Sequence, residues 1–186
     1  MTETIAKAFV ELLESYNIPD QLIPFIVSLF PVLELRGGMI AAAFIRFLND
    51  VNTAGTQPET FGQLLSNLVK DFIPCYIGNM LPIPFILIFI RKIFQLMRKV
   101  KFLSKIVDKL EARANKKKGT IDKYKEWGLL IFVAIPLPGT GGWTGALIAA
   151  LMDLRMKKCL PIIALGVFIA GLIMSVITYI IPWLLQ

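Results

Sequence analysis

The chain of 186 residues contains no histidine. That absence excludes a His-ligated metal site and a Ser-His-Asp triad. Cysteine is almost as scarce. Cys75 and Cys159 stand alone in apolar surroundings with no C-x-x-C spacing, and they read as small hydrophobes in helix packing. No paired-Asp motif and no nucleophile with an adjacent base is present, which disfavours an intramembrane hydrolase. The expectation is a protein that is not an enzyme and takes no metal and no cofactor. No cleavable leader is expected either. MTETIAKAFVELLESYN (1–17) lacks a basic start and a continuous apolar core, and reads instead as a short amphipathic helix at an interface.

What the chain has in excess is apolar sequence. It is 56% hydrophobic, with a mean hydropathy of +0.68, against about 45–50% apolar residues in soluble domains. The excess is gathered in long runs: FIPCYIGNMLPIPFILIFI (72–90), WGLLIFVAIPLPGTGGWTGALIAALM (127–152) and CLPIIALGVFIAGLIMSVITYIIPWLL (159–185). Runs of this length indicate membrane segments. The reading is a single all-α integral membrane domain over 1–186.

Charge sets the topology. Residues 91–126 hold 13 Lys and Arg against Asp108, Glu111, Asp122 and Glu126, a local balance of +9 in a chain of net +7. The positive-inside rule places this stretch, and the basic DLRMKK (153–158), in the cytoplasm. The apolar run 127–152 lies between two cytoplasmic segments, so it cannot cross once. It is predicted to be a re-entrant hairpin, broken by IPLPGTGGWTG (135–145), where Pro136, Pro138, Gly139, Gly141, Gly142 and Gly145 interrupt a helix. Each arm has about 11 residues, about half of a hydrocarbon core of about 30 Å. Residues 18–48 show the same form, broken from Pro31 to Gly38 and flanked by acidic or neutral sequence. That is a second hairpin, entering from the outer face. With spans at 72–92 and 159–185, the chain becomes an inverted repeat: 18–90, then the basic linker 91–126, then 127–186. Inverted repeats with broken helices meeting at mid-membrane mark transporters.

Two charges sit in the first break. FPVLELRGGMIAAAF (30–44) is apolar except for Glu34 and Arg36, with Gly37 and Gly38 next to them. A charge at mid-membrane costs about 2.5–3.5 kcal/mol and is functional by default. Positions two apart diverge on a helix but point the same way on extended backbone, and the glycines suit unwinding. Arg36 is then a fixed cation for a phosphate or carboxylate, and Glu34 the proton carrier. The alternative is a structural ion pair locking the hairpin, or charges at an interface. The second tip offers backbone amides of Gly139, Gly141 and Gly142, with Thr140, Trp143 and Thr144. Amides at a turn favour anions, so an anionic head group between Arg36 and this tip is coherent, although glycines also serve close helix packing. Asn79, in GNMLP (78–82), either bonds across helices or lines the cavity. Arg46, Asp71, with Lys70 beside it, and Asp153 read as interface anchors.

The basic segment 91–114 is predicted helical. Ile93, Leu96, Val100, Leu103, Val107, Leu110 and Ala114 form a seam by threes and fours. One reading is a parallel homodimer. Phe94 and Phe102 fall off the seam, which suits a helix packed on the protein or on anionic lipid better. No nucleic-acid partner is expected.

LELRGG (33–38), GNMLPIP (78–84) and FVAIPLPGTGGWTGALIAAL (132–151) resemble the family of small multidrug export proteins. That family is in turn similar to the DedA, or SNARE-associated, membrane proteins with two opposed re-entrant hairpins. The family pattern matches Glu34, Arg36 and Gly37 in the first hairpin, and Pro136, Pro138, Gly139, Thr140, Gly141 and Trp143 in the second. The resemblance implies a multi-pass protein of a bacterial cytoplasmic (inner) membrane. It also implies movement of a lipid carrier such as undecaprenyl phosphate, coupled to protons. The second hairpin departs from the DedA pattern in lacking its acidic residue and arginine. Three functions follow: a flippase for a phosphate-headed lipid, a proton-coupled exporter of cationic drugs working through Glu34, and a non-transporting membrane scaffold.

Overall fold

The structure is a computed structural model that describes Val10, Leu12 and residues 18–20, 22–52, 60–99, 125–137, 139–152 and 154–184. Among these the secondary structure is helical throughout, with no strand. The amphipathic helix expected over 1–17 and most of the basic seam fall outside the described residues, as do Pro138 and Asp153.

The first helices with described bounds are α1 (Ile23–Leu29) and α2 (Glu34–Asn52). Pro24 stands in the first turn of α1, where its missing N–H has no intrahelical partner to lose. Phe30 turns extended ahead of Pro31, so the helix stops. The break therefore lies at 30–33. Gly37 and Gly38 are helical, where unwinding was expected. Next, α3 (Phe61–Met80) starts on a capping box in which the Gln63 side chain accepts the Thr60 backbone N–H at 3.0 Å. Leu81 keeps helical dihedrals into α4 (Pro82–Lys99), giving a continuous apolar stretch over Phe61–Phe89. This span begins eleven residues before the run expected from hydropathy.

The second half also places two helices ahead of a long one. α5 (Lys125–Ala134) and α6 (Gly142–Leu151) flank the proline-glycine break. At ten residues apiece each is about 15 Å long, too short to cross a bilayer. α7 (Met156–Ser175) continues through a π-turn (Val176–Ile180) into α8 (Ile181–Leu184), forming the second 29-residue apolar stretch. Only 28% and 39% of the apolar windows in the two long stretches are buried inside the protein. A soluble core helix would be mostly covered; here Phe85, Phe89, Trp127 and Ile131 face outward, as lipid-facing side chains do.

In each half the first two helices pack on one another and on the long helix that follows: α1 on α2 and α3, and α5 on α6 and α7. α2, at 19 residues, is about 28 Å long, not the half-length arm expected for the hairpin 18–48. The halves join where α6 lies on α4 and where α7 meets α2 and α3. The shared core draws on both, with Leu35 and Met39, Cys75, Ile83 and Leu87, Val133, Ala146 and Ala149, and Ile163 and Val167. Close approach of α1, α2 and α3 depends on small residues. A Cβ on Gly38 would meet Ser28, Pro24 and Cys75, and one on Gly78 would meet the Phe25 carbonyl. Both cysteines are buried.

Candidate functional site

The two helix breaks touch. Glu34 is the first residue of α2 and its side chain is buried. It crosses to the start of α6, where Oε2 accepts the Gly142 N–H and Oε1 accepts the Trp143 N–H, each at 3.2 Å. A helix N-terminus leaves its first amides unpaired and carries a partial positive charge, and one carboxylate answers both. Two backbone features permit the contact. Glu34 has φ +52°, a left-handed conformation that a bulky residue adopts at a cost, and this swings its side chain toward the second tip. Gly141 has φ +135°, and a Cβ there would fall on the Glu34 carboxylate. Only glycine leaves room.

Arg36 completes the contact from the same side. Its two terminal nitrogens donate to the Leu137 and Thr140 carbonyls, and one of them, Nη2, lies 3.8 Å from Glu34 Oε2. The planar fork spans two loop carbonyls as a single ammonium cannot. Thr140 secures the loop from within: its hydroxyl donates to the Ile135 carbonyl at 2.6 Å, and the Leu137 N–H donates to that hydroxyl at 3.1 Å. The carboxylate takes the amides, and the guanidinium takes the carbonyls.

Beside this contact lies a small cavity with room for about one water molecule, too small for a drug-sized ligand. Glu34, Arg36, Asn79, Pro136, Thr140, Gly141 and Gly142 line it, with Leu35, Val133, Ile135, Val167 and Ala170 as apolar walls. Those walls were not singled out in the sequence. Val167 and Ala170 lie on the buried face of α7 and read there as ordinary core. Asn79 is buried, and its Oδ1 has no hydrogen-bond partner among the described residues; nor has Trp143 Nε1. Other expected site residues lie elsewhere. Gly37 packs on Leu33, Gly38 faces Ser28 and Cys75, and Gly139 stands exposed at φ +86°. Pro31 is exposed in the first break, and Thr144 does not line the cavity.

Arg46 and Asp71 join a second network. Arg46 Nε donates to Asp71 Oδ2 at 2.7 Å, and Tyr179 donates its hydroxyl to the same oxygen at 2.8 Å. Tyr179 is buried and lies on the π-turn, so this network ties α2 and α3 to the end of the α7 rod. Among the described residues no group of side chains is arranged to hold a metal ion.

Glu34, Arg36 and the second break fall within residues 34–173, the stretch matched by the family model described as "Putative small multi-drug export protein". No curated protein and no solved structure matches the chain significantly. The match covers about three quarters of the sequence, including Glu34, Arg36, Asn79 and the whole second break, and the chain belongs to the small multi-drug export protein family.

Proposed function

We propose that the protein is an alternating-access membrane transporter in which the meeting of two re-entrant hairpins, 18–48 and 127–152, is the gate. The hairpins enter from opposite faces as halves of an inverted repeat, and the chain moves an amphiphile without catalysing a reaction on it. The observation that carries this reading is the docking of Glu34 on the Gly142 and Trp143 amides. A helix N-terminus with an adjacent arginine is an anion site, and here the chain's own carboxylate fills it. The Glu34 backbone is held in a conformation that costs about 1–3 kcal/mol, which favours departure once a better anion arrives. A substrate with a small anionic head group then takes the amides and Arg36, while its tail stays among the outward-facing apolar side chains. Glu34 leaves as a carboxylic acid, carrying a proton. A phosphate-headed lipid carrier such as undecaprenyl phosphate fits this chemistry, in a bacterial cytoplasmic membrane.

The family description favours a second reading, export of cationic drugs. In it Glu34, the buried acid of the cavity, binds drug and proton in turn. Charge movement in proteoliposomes on a solid-supported membrane separates the two. A short-chain polyprenyl phosphate should give a current that Arg36→Ala abolishes. A current from a cationic dye that needs Glu34 but not Arg36 supports drug export instead. Silence with both ligands favours a scaffold.

A further inference from the structure

Asn79 is not used by the gate, yet it is the most deeply buried polar side chain on the cavity wall. Its residue is 1% exposed, and Oδ1 has no partner among the described residues. It lies 3.2 Å from where a Gly142 Cβ would sit, so it adjoins the amide that holds Glu34. Buried acceptors without a partner are rare and costly. Helix packing does not explain this one, because α3 turns it toward the cavity it shares with Glu34 and Arg36. The other polar groups of the contact are complemented, amides by carboxylate and guanidinium by carbonyls, except the Trp143 indole N–H, which does not line the cavity. On the cavity wall the open requirement among the described residues is a hydrogen-bond donor to Asn79.

We infer that Asn79 is a specificity-determining residue, and that the cavity selects anionic head groups which retain an O–H or N–H donor over fully substituted ones. This rests on the proposed anion site. In the loaded state the negative oxygens lie on the Gly142 and Trp143 amides and on Arg36, and the remaining hydroxyl of the head group donates to Asn79 Oδ1. A phosphate monoester as its monoanion meets both demands. A phosphodiester of equal charge meets only the first.

The test is isothermal titration of the full chain in nanodiscs with dodecyl phosphate and with methyl dodecyl phosphate, using empty nanodiscs as the blank, at a pH where the monoester is a monoanion. The monoester should bind about tenfold more tightly, the effect of one satisfied buried acceptor. Asn79→Leu, close in volume, should bring the two within about twofold by weakening the monoester, and Asn79→Ala serves should the leucine variant not fold. The wild-type ratio needs no variant. Equal binding of the two in wild type overturns the role of Asn79 and leaves the anion site standing. A preference that survives in Asn79→Leu also overturns it, since the donor is then read elsewhere. Binding of neither ligand removes the anion site and this inference together.

Discussion

Gly141→Ala is the sharpest test of the tip contact, because one methyl group acts on two separate terms. At φ +135° an alanine is strained, at a cost of about 1–3 kcal/mol. Its Cβ would also occupy the position of the Glu34 carboxylate, forcing that group off the Gly142 and Trp143 amides. Hydrogen bonds to a charged group contribute about 1.5–3 kcal/mol each. The substitution should therefore cost about 4 kcal/mol or more, a large share of a stability of about 5–15 kcal/mol. In a Glu34→Ala background the carboxylate is already gone, and only the backbone term, about 1–3 kcal/mol, remains. Reversible unfolding of the four proteins in mixed micelles completes the double-mutant cycle. The expected coupling is about 3 kcal/mol, where independent sites add to within about 0.5 kcal/mol. Costs that add to within that margin would refute the docking of Glu34 on α6.

Other consequences follow from the same contacts. Arg36→Lys should lose about 1–3 kcal/mol of unfolding free energy, because one ammonium cannot serve the Leu137 and Thr140 carbonyls together; faster hydrogen exchange of the 140–143 amides should accompany it. Gly78→Ala should destabilise by about 1–3 kcal/mol, since its methyl meets the Phe25 carbonyl. Gly62→Ala, on the same helix with open space around it, should be neutral or stabilise by up to about 1 kcal/mol; thermal unfolding of the pair distinguishes helix propensity from close packing. Tyr179→Phe should cost about 1 kcal/mol by removing the donor to Asp71 Oδ2, and Asp71→Ala more, because it also leaves Arg46 without its carboxylate.

Periodicity and hydropathy located the apolar helices and the proline-glycine break between α5 and α6, because proline and glycine act through local backbone geometry alone. They were less reliable where tertiary contacts compete. The hydropathy run at 72–92 missed the first turns of α3, whose Gln63, Ser66, Asn67, Lys70 and Asp71 lower the average although the helix continues through them. Unwinding at Gly37 and Gly38 was inferred from the need to aim Glu34 and Arg36 the same way. The protein meets that need with one residue, Glu34 at φ +52°, and keeps both glycines helical for packing. Arg46 and Asp71 read as separate anchors, since nothing local indicates that Tyr179, 108 residues from Asp71, reaches the same carboxylate.

Residue order alone makes this chain helical and apolar, without histidine chemistry, with two charges beside one helix break and glycines gathered at the other. Those properties depend on residue type and short-range order along the chain. Which group answers which emerges in the folded chain. The sequence reading set Arg36 and the second-tip amides around an external anion. In the folded protein Glu34 is that anion, and Arg36 holds carbonyls of the same loop. The pairing joins residues more than 100 positions apart. It depends on Gly141 leaving space for a carboxylate, a matter of a single Cβ that local pattern does not encode.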